Sequence, residues 1–196
     1  MSRIQWIVCV FLVGLACGTT RQPPPSQPDP AVASADPMDA AAPSRAAVAQ
    51  WRRVTSATGL FSVEFPDGWT SRDVGPGMLD VHSPDASGEI TVTAQYVEDP
   101  QPDEPPTFTL ENVTSTMTSA LAEAGWTLAS GWRQRTSGGQ IAVEADVVDP
   151  VGRVGIFKAL FTAHTLVTLS TIDRPASFDQ RRDLYRHVAD SLLLAR

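Results

Sequence analysis

An α+β domain, built on a mainly antiparallel central sheet flanked by helices, is the fold this sequence predicts. Three observations predict it. Apolar and polar residues alternate with period two in several short segments, as in half-buried strands. The joints between these segments are short and carry turn residues, which favours antiparallel neighbours, because a parallel pair needs a dozen or more residues for its crossover. Only two stretches show helical spacing, and two adjacent strand-like segments are apolar on both faces, as central strands covered on both sides would be. Strands, one helix, strands and one helix around such a sheet give an α/β/α sandwich.

The elements follow in chain order. Residues 1–16 read as a targeting segment: Arg3 is the positive charge near the start, and Ile4 to Ala16 is uncharged and mostly apolar. Thirteen such residues are too few for a membrane-crossing helix, which needs about 20. The run ends Val13-Gly14-Leu15-Ala16-Cys17, which resembles the bacterial lipobox. That resemblance implies a diacylglyceryl thioether on Cys17, cleavage just before it and acylation of the new α-amine. Gly14 departs from the commoner Leu or Val, while Ala16 and Cys17 fit. The sequence has two cysteines, Cys9 and Cys17; Cys9 would leave with the peptide, so the mature chain could form no internal disulfide. Several fatty chains would make the attachment permanent in practice, at about 0.8 kcal/mol per buried CH₂. Gly18, where an Asp would resemble an inner-membrane retention signal, favours the outer membrane, on its periplasmic or surface face.

Residues 17–50 form the lipidated N-terminus and a tether. From 18 to 50, seven of 33 residues are Pro and nine are Ala, with no Phe, Trp, Tyr, Ile or Leu. Such a stretch cannot bury enough apolar surface to offset its ordering entropy and is expected to be disordered, a spacer between lipid and domain.

The globular domain is expected over 51–196. Its strands are marked by Phe61, Val63 and Phe65, by Ile90, Val92, Ala94 and Tyr96, and by Ile141, Val143, Ala145 and Val147. Further extended segments are expected near 51–56, 69–74, 78–83, 126–135, 153–162 and 165–172, the last two apolar on both faces. Joints fall at Pro66-Asp67-Gly68, Ser137-Gly138-Gly139 and Asp149-Pro150-Val151-Gly152. The first helix is expected over 108–124, from Leu110, Val113, Met117, Leu121 and Ala124, with Gly125 as its stop. The last is expected to open on Ser177-Phe178-Asp179-Gln180 as a capping box, with Leu184, Val188, Ser191, Leu192 and Ala195 as its inner stripe.

Phe61-Ser62-Val63-Glu64-Phe65-Pro66-Asp67-Gly68-Trp69 resembles the opening hairpin of PsbP-like domains. A strand-then-helix passage at 89–124, an apolar strand ending Leu166-Val167-Thr168-Leu169-Ser170 and a closing helix ending Ser191-Leu192-Leu193 extend the resemblance over about 51–196. The superfamily includes a photosystem assembly subunit, a nuclear protein that binds a small GTPase, and bacterial lipoproteins of the DcrB and LpqN kinds. The resemblance implies a non-catalytic adaptor fold. It names no partner, because function lives in sites and not in folds.

Charge narrows the function classes. The 196 residues carry a net charge of −7, and Lys158 is the only lysine, which argues against nucleic acid as a partner. Gly-x-Ser-x-Gly, His-Glu-x-x-His, the P-loop and Gly-x-Gly-x-x-Gly are absent from the sequence. Asp183 and His187, four apart on the last helix, are an exposed pair or half of a metal site; His82 lies near Asp80 and Asp85; His164 sits in a turn. Trp126 and Trp132 share parity on one expected strand and read as core packing. The loop holding Glu98, Asp99, Asp103 and Glu104 among four prolines lacks EF-hand spacing and reads as a solvated, stiff loop, with docking to a basic patch on a partner as the alternative.

Taken together, the sequence leads to a membrane-anchored envelope lipoprotein with no catalytic residues, metal or cofactor, acting through an envelope protein partner. Two rivals stand beside it. A lipid- or small-ligand-binding lipoprotein would hold an apolar cavity between sheet and helix. A hydrolase would bring His82, His164 or His187 together with acids in one cleft.

Overall fold

The computed structural model describes residues 50–96, 106–137 and 140–194. Cys17, the tether, and the acids Glu98, Asp99, Asp103 and Glu104 lie outside the described residues. Gln50–Arg196 forms one compact unit. Its elements are β1 (Trp51–Thr55), β2 (Phe61–Pro66), β3 (Thr70–Gly75), β4 (Met78–His82), β5 (Glu89–Tyr96), α1 (Leu110–Glu123), β6 (Thr127–Leu128), β7 (Arg133–Ser137), β8 (Gln140–Val148), β9 (Val154–Phe161), β10 (Thr165–Asp173), α2 (Pro175–Ser191) and β11 (Leu193–Leu194).

Among the described residues every strand pair is antiparallel, as the short joints predict. The strands divide between two sheets. The larger has the order β3-β4-β5-β10-β9-β8-β6, with β7 also on β8; the smaller has the order β1-β2-β11. β9 and β10 are the doubly buried central strands that their apolar runs foretell.

One face of the large sheet carries Leu79, Val81, Ile90, Val92, Ile156, Leu160, Val167 and Leu169. These pack with Phe61, Val63 and Phe65 of the small sheet and with Phe178, Tyr185 and Val188 of α2. Phe61 and Phe65 are fully buried, each contributing about 2–3 kcal/mol of transfer free energy. On the opposite face, Val143, Ala145, Phe157, Ala159 and Phe161 are buried, on the side where α1 lies.

Four expectations are corrected. Pro66-Asp67-Gly68 is not a hairpin joint within one sheet: it carries the chain from β2 in the small sheet to β3 in the large one. The Asp67 N–H donates to the Gln50 carbonyl at 2.8 Å, and Gly68 takes the left-handed φ of 88° that the corner requires. A link this short rules out a parallel neighbour but not a change of sheet, and Trp69, 7% exposed, is buried just past the corner.

The extended segment expected over 126–135 is broken into β6 and β7. At the break the Ser130 hydroxyl accepts the Asp146 N–H at 2.9 Å, a bond a strand carbonyl would otherwise take. Trp126 and Trp132 therefore do not share a strand. Trp126 is buried, while Trp132 lies edge-on to Phe157 at 6.0 Å and donates its Nε1–H to Thr118 Oγ1 at 3.0 Å, tying α1 to the sheet.

The closing helix begins at Pro175, not Ser177, and Arg174 caps it without a side-chain hydrogen bond. Proline at the first helical position supplies a fixed φ and lacks an N–H that would be unpaired anyway, so the Ser177–Gln180 box is not used. A capping box does form at α1, between Thr109 and Asn112. Finally, the buried stripe of α2 is Phe178, Tyr185, Val188 and Ala189, so of Leu184, Val188 and Ser191 only Val188 is fully buried within the helix, and Ala195 lies outside the described residues. Leu192 is buried just past its end, and Ser191 instead offers its hydroxyl to the Glu64 N–H at 2.8 Å.

Candidate functional site

The densest polar constellation among the described residues lies where α2 starts, against the loop between β4 and β5. Asp173, the last residue of β10, is fully buried. Its Oδ1 accepts the Arg174 N–H at 2.7 Å, and its Oδ2 accepts the Tyr185 hydroxyl at 2.8 Å and Arg181 at 3.1 Å. Arg181 reaches on to Asp85 at 2.7 Å and to the Ser87 hydroxyl at 3.0 Å. Asp85 also accepts from the Ser83 hydroxyl at 2.6 Å and the Ser87 hydroxyl at 3.1 Å.

The sequence builds this site locally. Gly88 follows the loop, and a Cβ there would collide with the Tyr185 hydroxyl, so only glycine lets the phenol reach Asp173. Ala86 holds a left-handed φ of 53°, a strain that the Ser83–Asp85–Ser87 hydrogen bonds sustain. The Arg181 hydrogen bond, helped by Ser83, holds the Asp85 carboxyl far below the usual carboxylate range. Burial, then the bond to Asp173, pushes the Tyr185 phenol well above its ordinary value. All four carboxylate oxygens are engaged within the fold, so the arrangement clamps a helix onto a sheet.

A second buried charge sits at the other end of α2. Lys158, on β9, is 8% exposed and donates to the Ala189 carbonyl at 2.6 Å, satisfying an acceptor in the last helical turn. Burial pushes its ammonium below the ordinary 10.5, with Asp190 and Glu144 opposing. Because the folded value is lowered, the unfolded chain binds this proton more tightly. Stability therefore rises with pH from the lowered value up to about 10.5. Tyr185 has the opposite sign: above pH of about 10 the unfolded phenol ionises first, and stability falls. Denaturation midpoints measured from pH 7 to 11 are expected to pass through a maximum. Lys158→Met should lose the rising limb and Tyr185→Phe should blunt the falling one.

The three histidines do not converge. His82 ends β4 on the face opposite α2, with Glu89 beside it in the ladder. His164 occupies the β9–β10 turn at the other end of the sheet, about 25 Å away at 3.3 Å per residue. His187 lies on α2, where its acid partner is Glu64 of β2 at 2.9 Å rather than Asp183. Asp80 bonds Thr91 at 3.0 Å and Asp85 bonds Arg181, so neither gathers around His82. No group of three metal-ligating side chains forms among the described residues.

A cleft of about 230 Å³ opens beside the start of α2, lined by Val147, Val154, Pro175, Phe178, Asp179 and Arg182 among others. It lies below the roughly 300–1,000 Å³ of small-molecule sites. Arg182 spans its rim, bonded to Asp179 at 2.6 Å and lying 5.1 Å over the Phe178 ring. No local pattern marks Tyr185, Arg181 and Asp173 as a unit: their partners are set by the long-range meeting of α2 with the β4–β5 loop.

An antiparallel arrangement of this kind, with one helix against each face of the large sheet, has the PsbP-like fold. Among solved structures, the chain is similar to the cyanobacterial PsbP (CyanoP) of Synechocystis sp. PCC 6803. The match has 15% identity, covers 79% of this chain and 98% of that one, and has a TM-score of 0.55. A more distant match is LpqN of Mycobacterium tuberculosis, described as involved in cell envelope biogenesis, with 13% identity over 78% of this chain and 94% of that one. Its TM-score is 0.46. At these identities the likeness to CyanoP establishes the fold alone. No protein-family model and no curated protein matches the sequence.

Proposed function

We propose that this chain is a membrane-anchored lipoprotein of the cell envelope, carried on the outer membrane, whose PsbP-like domain binds a protein partner without catalysing a reaction.

 The observation that carries this proposal is the engagement of the Asp85–Arg181–Asp173–Tyr185 constellation in holding α2, which supports a rigid module that works through its surface. The anchor rests on Val13-Gly14-Leu15-Ala16-Cys17, and the choice of membrane rests on Gly18. Glu98, Asp99, Asp103 and Glu104, between β5 and α1, supply the acidic segment that would meet a basic surface on the partner.

The test uses the full chain and its Cys17→Ser variant. Wild type is expected in the membrane fraction, with mass spectrometry finding a diacylglyceryl thioether at position 17. The variant is expected to leave that fraction with its domain folded. An unmodified thiol at position 17, or a variant that stays with the membrane, overturns the anchor. Affinity capture then compares wild type with a variant neutralised at all four acids; an unchanged set of partners removes the docking role of that segment.

A further inference from the structure

Trp51 opens the domain, one residue after Gln50, where the preceding 49 residues join it. Its indole is stacked on the His187 imidazole of α2, with ring centroids 3.8 Å apart and planes 28° from parallel. At the edge of the imidazole, Nε2 meets Glu64 Oε2 at 2.9 Å. Glu64 Oε1 in turn accepts from Arg53 of β1 at 2.7 Å, and the Glu64 N–H donates to Ser191 of α2 at 2.8 Å. Three elements thus meet at one ring.

We propose that Trp51, His187 and Glu64 form a clasp, tightened by a proton, that holds β1 against α2 at the point where the N-terminal segment enters the domain. The inference is independent of what the domain binds.

Hydrogen-bond chemistry fixes where the proton goes. A carboxylate oxygen only accepts, so in the neutral ring Nε2 carries the hydrogen and a second proton enters at Nδ1. That proton changes two contacts together. The bond to Glu64 becomes a charge-assisted pair, roughly twice as strong as a neutral one. The ring facing Trp51 becomes a cation against a π-face, which attracts it further. The charged groups around the imidazole come from every element packed there. They are Glu64 of β2, Asp183 and Asp190 one turn away on α2, Arg53 of β1 and the adjacent Arg186. His187 and Arg53 hold the Glu64 carboxyl below its usual range, so the acceptor keeps its charge on mild acidification.

The direct readout is Trp51 emission, obtained as the difference between wild type and Trp51→Phe, because an imidazolium in contact with an indole quenches it more than neutral imidazole does. Between pH 8 and pH 5 this difference emission is expected to fall about twofold, and the fall should be absent in His187→Gln. Tightening is read by hydrogen exchange. Protection of the β1 amides relative to His187→Gln should rise about threefold over the same pH range. In Glu64→Gln the quenching should persist while the gain in protection shrinks to what the ring–indole contact alone supplies. Difference emission independent of pH, or an equal fall in His187→Gln, overturns the ring contact. Quenching without any change in β1 protection overturns the clasp.

Discussion

Gly155→Ala is expected to prevent the domain from folding to its native state, or to destabilise it by about 4 kcal/mol or more, beyond the usual range for a point substitution. Gly155 is the second residue of β9, between Ile172 of β10 and Val147 of β8 in the ladder. A Cβ there would run into the Thr171 carbonyl oxygen, with the Thr171 carbonyl carbon at 2.8 Å and the Ile172 side chain at 2.9 Å. Backbone cannot yield as a flexible side chain can. Relief would require separating β9 from β10, the two central strands and the most deeply buried pair in the sheet. The check is soluble yield and a urea denaturation midpoint, with Gly131→Ala as control. Nothing lies within 4 Å of a Cβ at Gly131, so that variant should stay close to wild type. An alanine at 155 that leaves the midpoint unchanged would refute the close approach of the two strands.

Asp173→Ala is the second large effect, at about 3 kcal/mol, because it leaves the buried Tyr185 hydroxyl without its acceptor and takes from Arg181 one of its two carboxylates. Arg181 would keep only Asp85 and Ser87, and the Tyr185 hydroxyl, on a side chain with no exposure, would lose its acceptor. Tyr185→Phe removes the donor but leaves Asp173 with Arg181 and the Arg174 N–H, so about 1 kcal/mol is expected. Urea denaturation of both variants gives the order. If the phenylalanine variant loses as much as the alanine one, packing of the ring, rather than the carboxylate, holds α2 in place.

What could be read from the sequence follows from where the signal is local. The alternation of Phe61, Val63 and Phe65 with Ser62 and Glu64 fixes both the strand and its inward face, because the period of a strand is set by its own backbone. The double-sided apolar runs of β9 and β10 likewise report their central place. The division into two sheets was not legible, since β2 finds its partners in β1 and in Leu193 and Leu194, at the far end of the chain. Ser177-Phe178-Asp179-Gln180 shows a capping pattern, yet Pro175 starts the helix earlier, and a prearranged φ outweighs a side-chain cap. The candidate site divides the same way. Asp183 and His187 are neighbours by helical spacing, but Glu64, distant in sequence by 123 positions, takes the imidazole because the folding of the small sheet onto α2 brings it there. Tyr185 stands out in no local pattern, and its role appears only when Asp173 and Gly88 are placed beside it.

The seclusion of Lys158 has a practical corollary. With its ammonium pressed against the Ala189 carbonyl and no second lysine anywhere in the sequence, the folded domain presents no accessible side-chain amine. Acylating reagents of the succinimidyl ester type would modify that position only during excursions in which α2 lifts from β9. The rate of labelling at a single site would then count those openings directly.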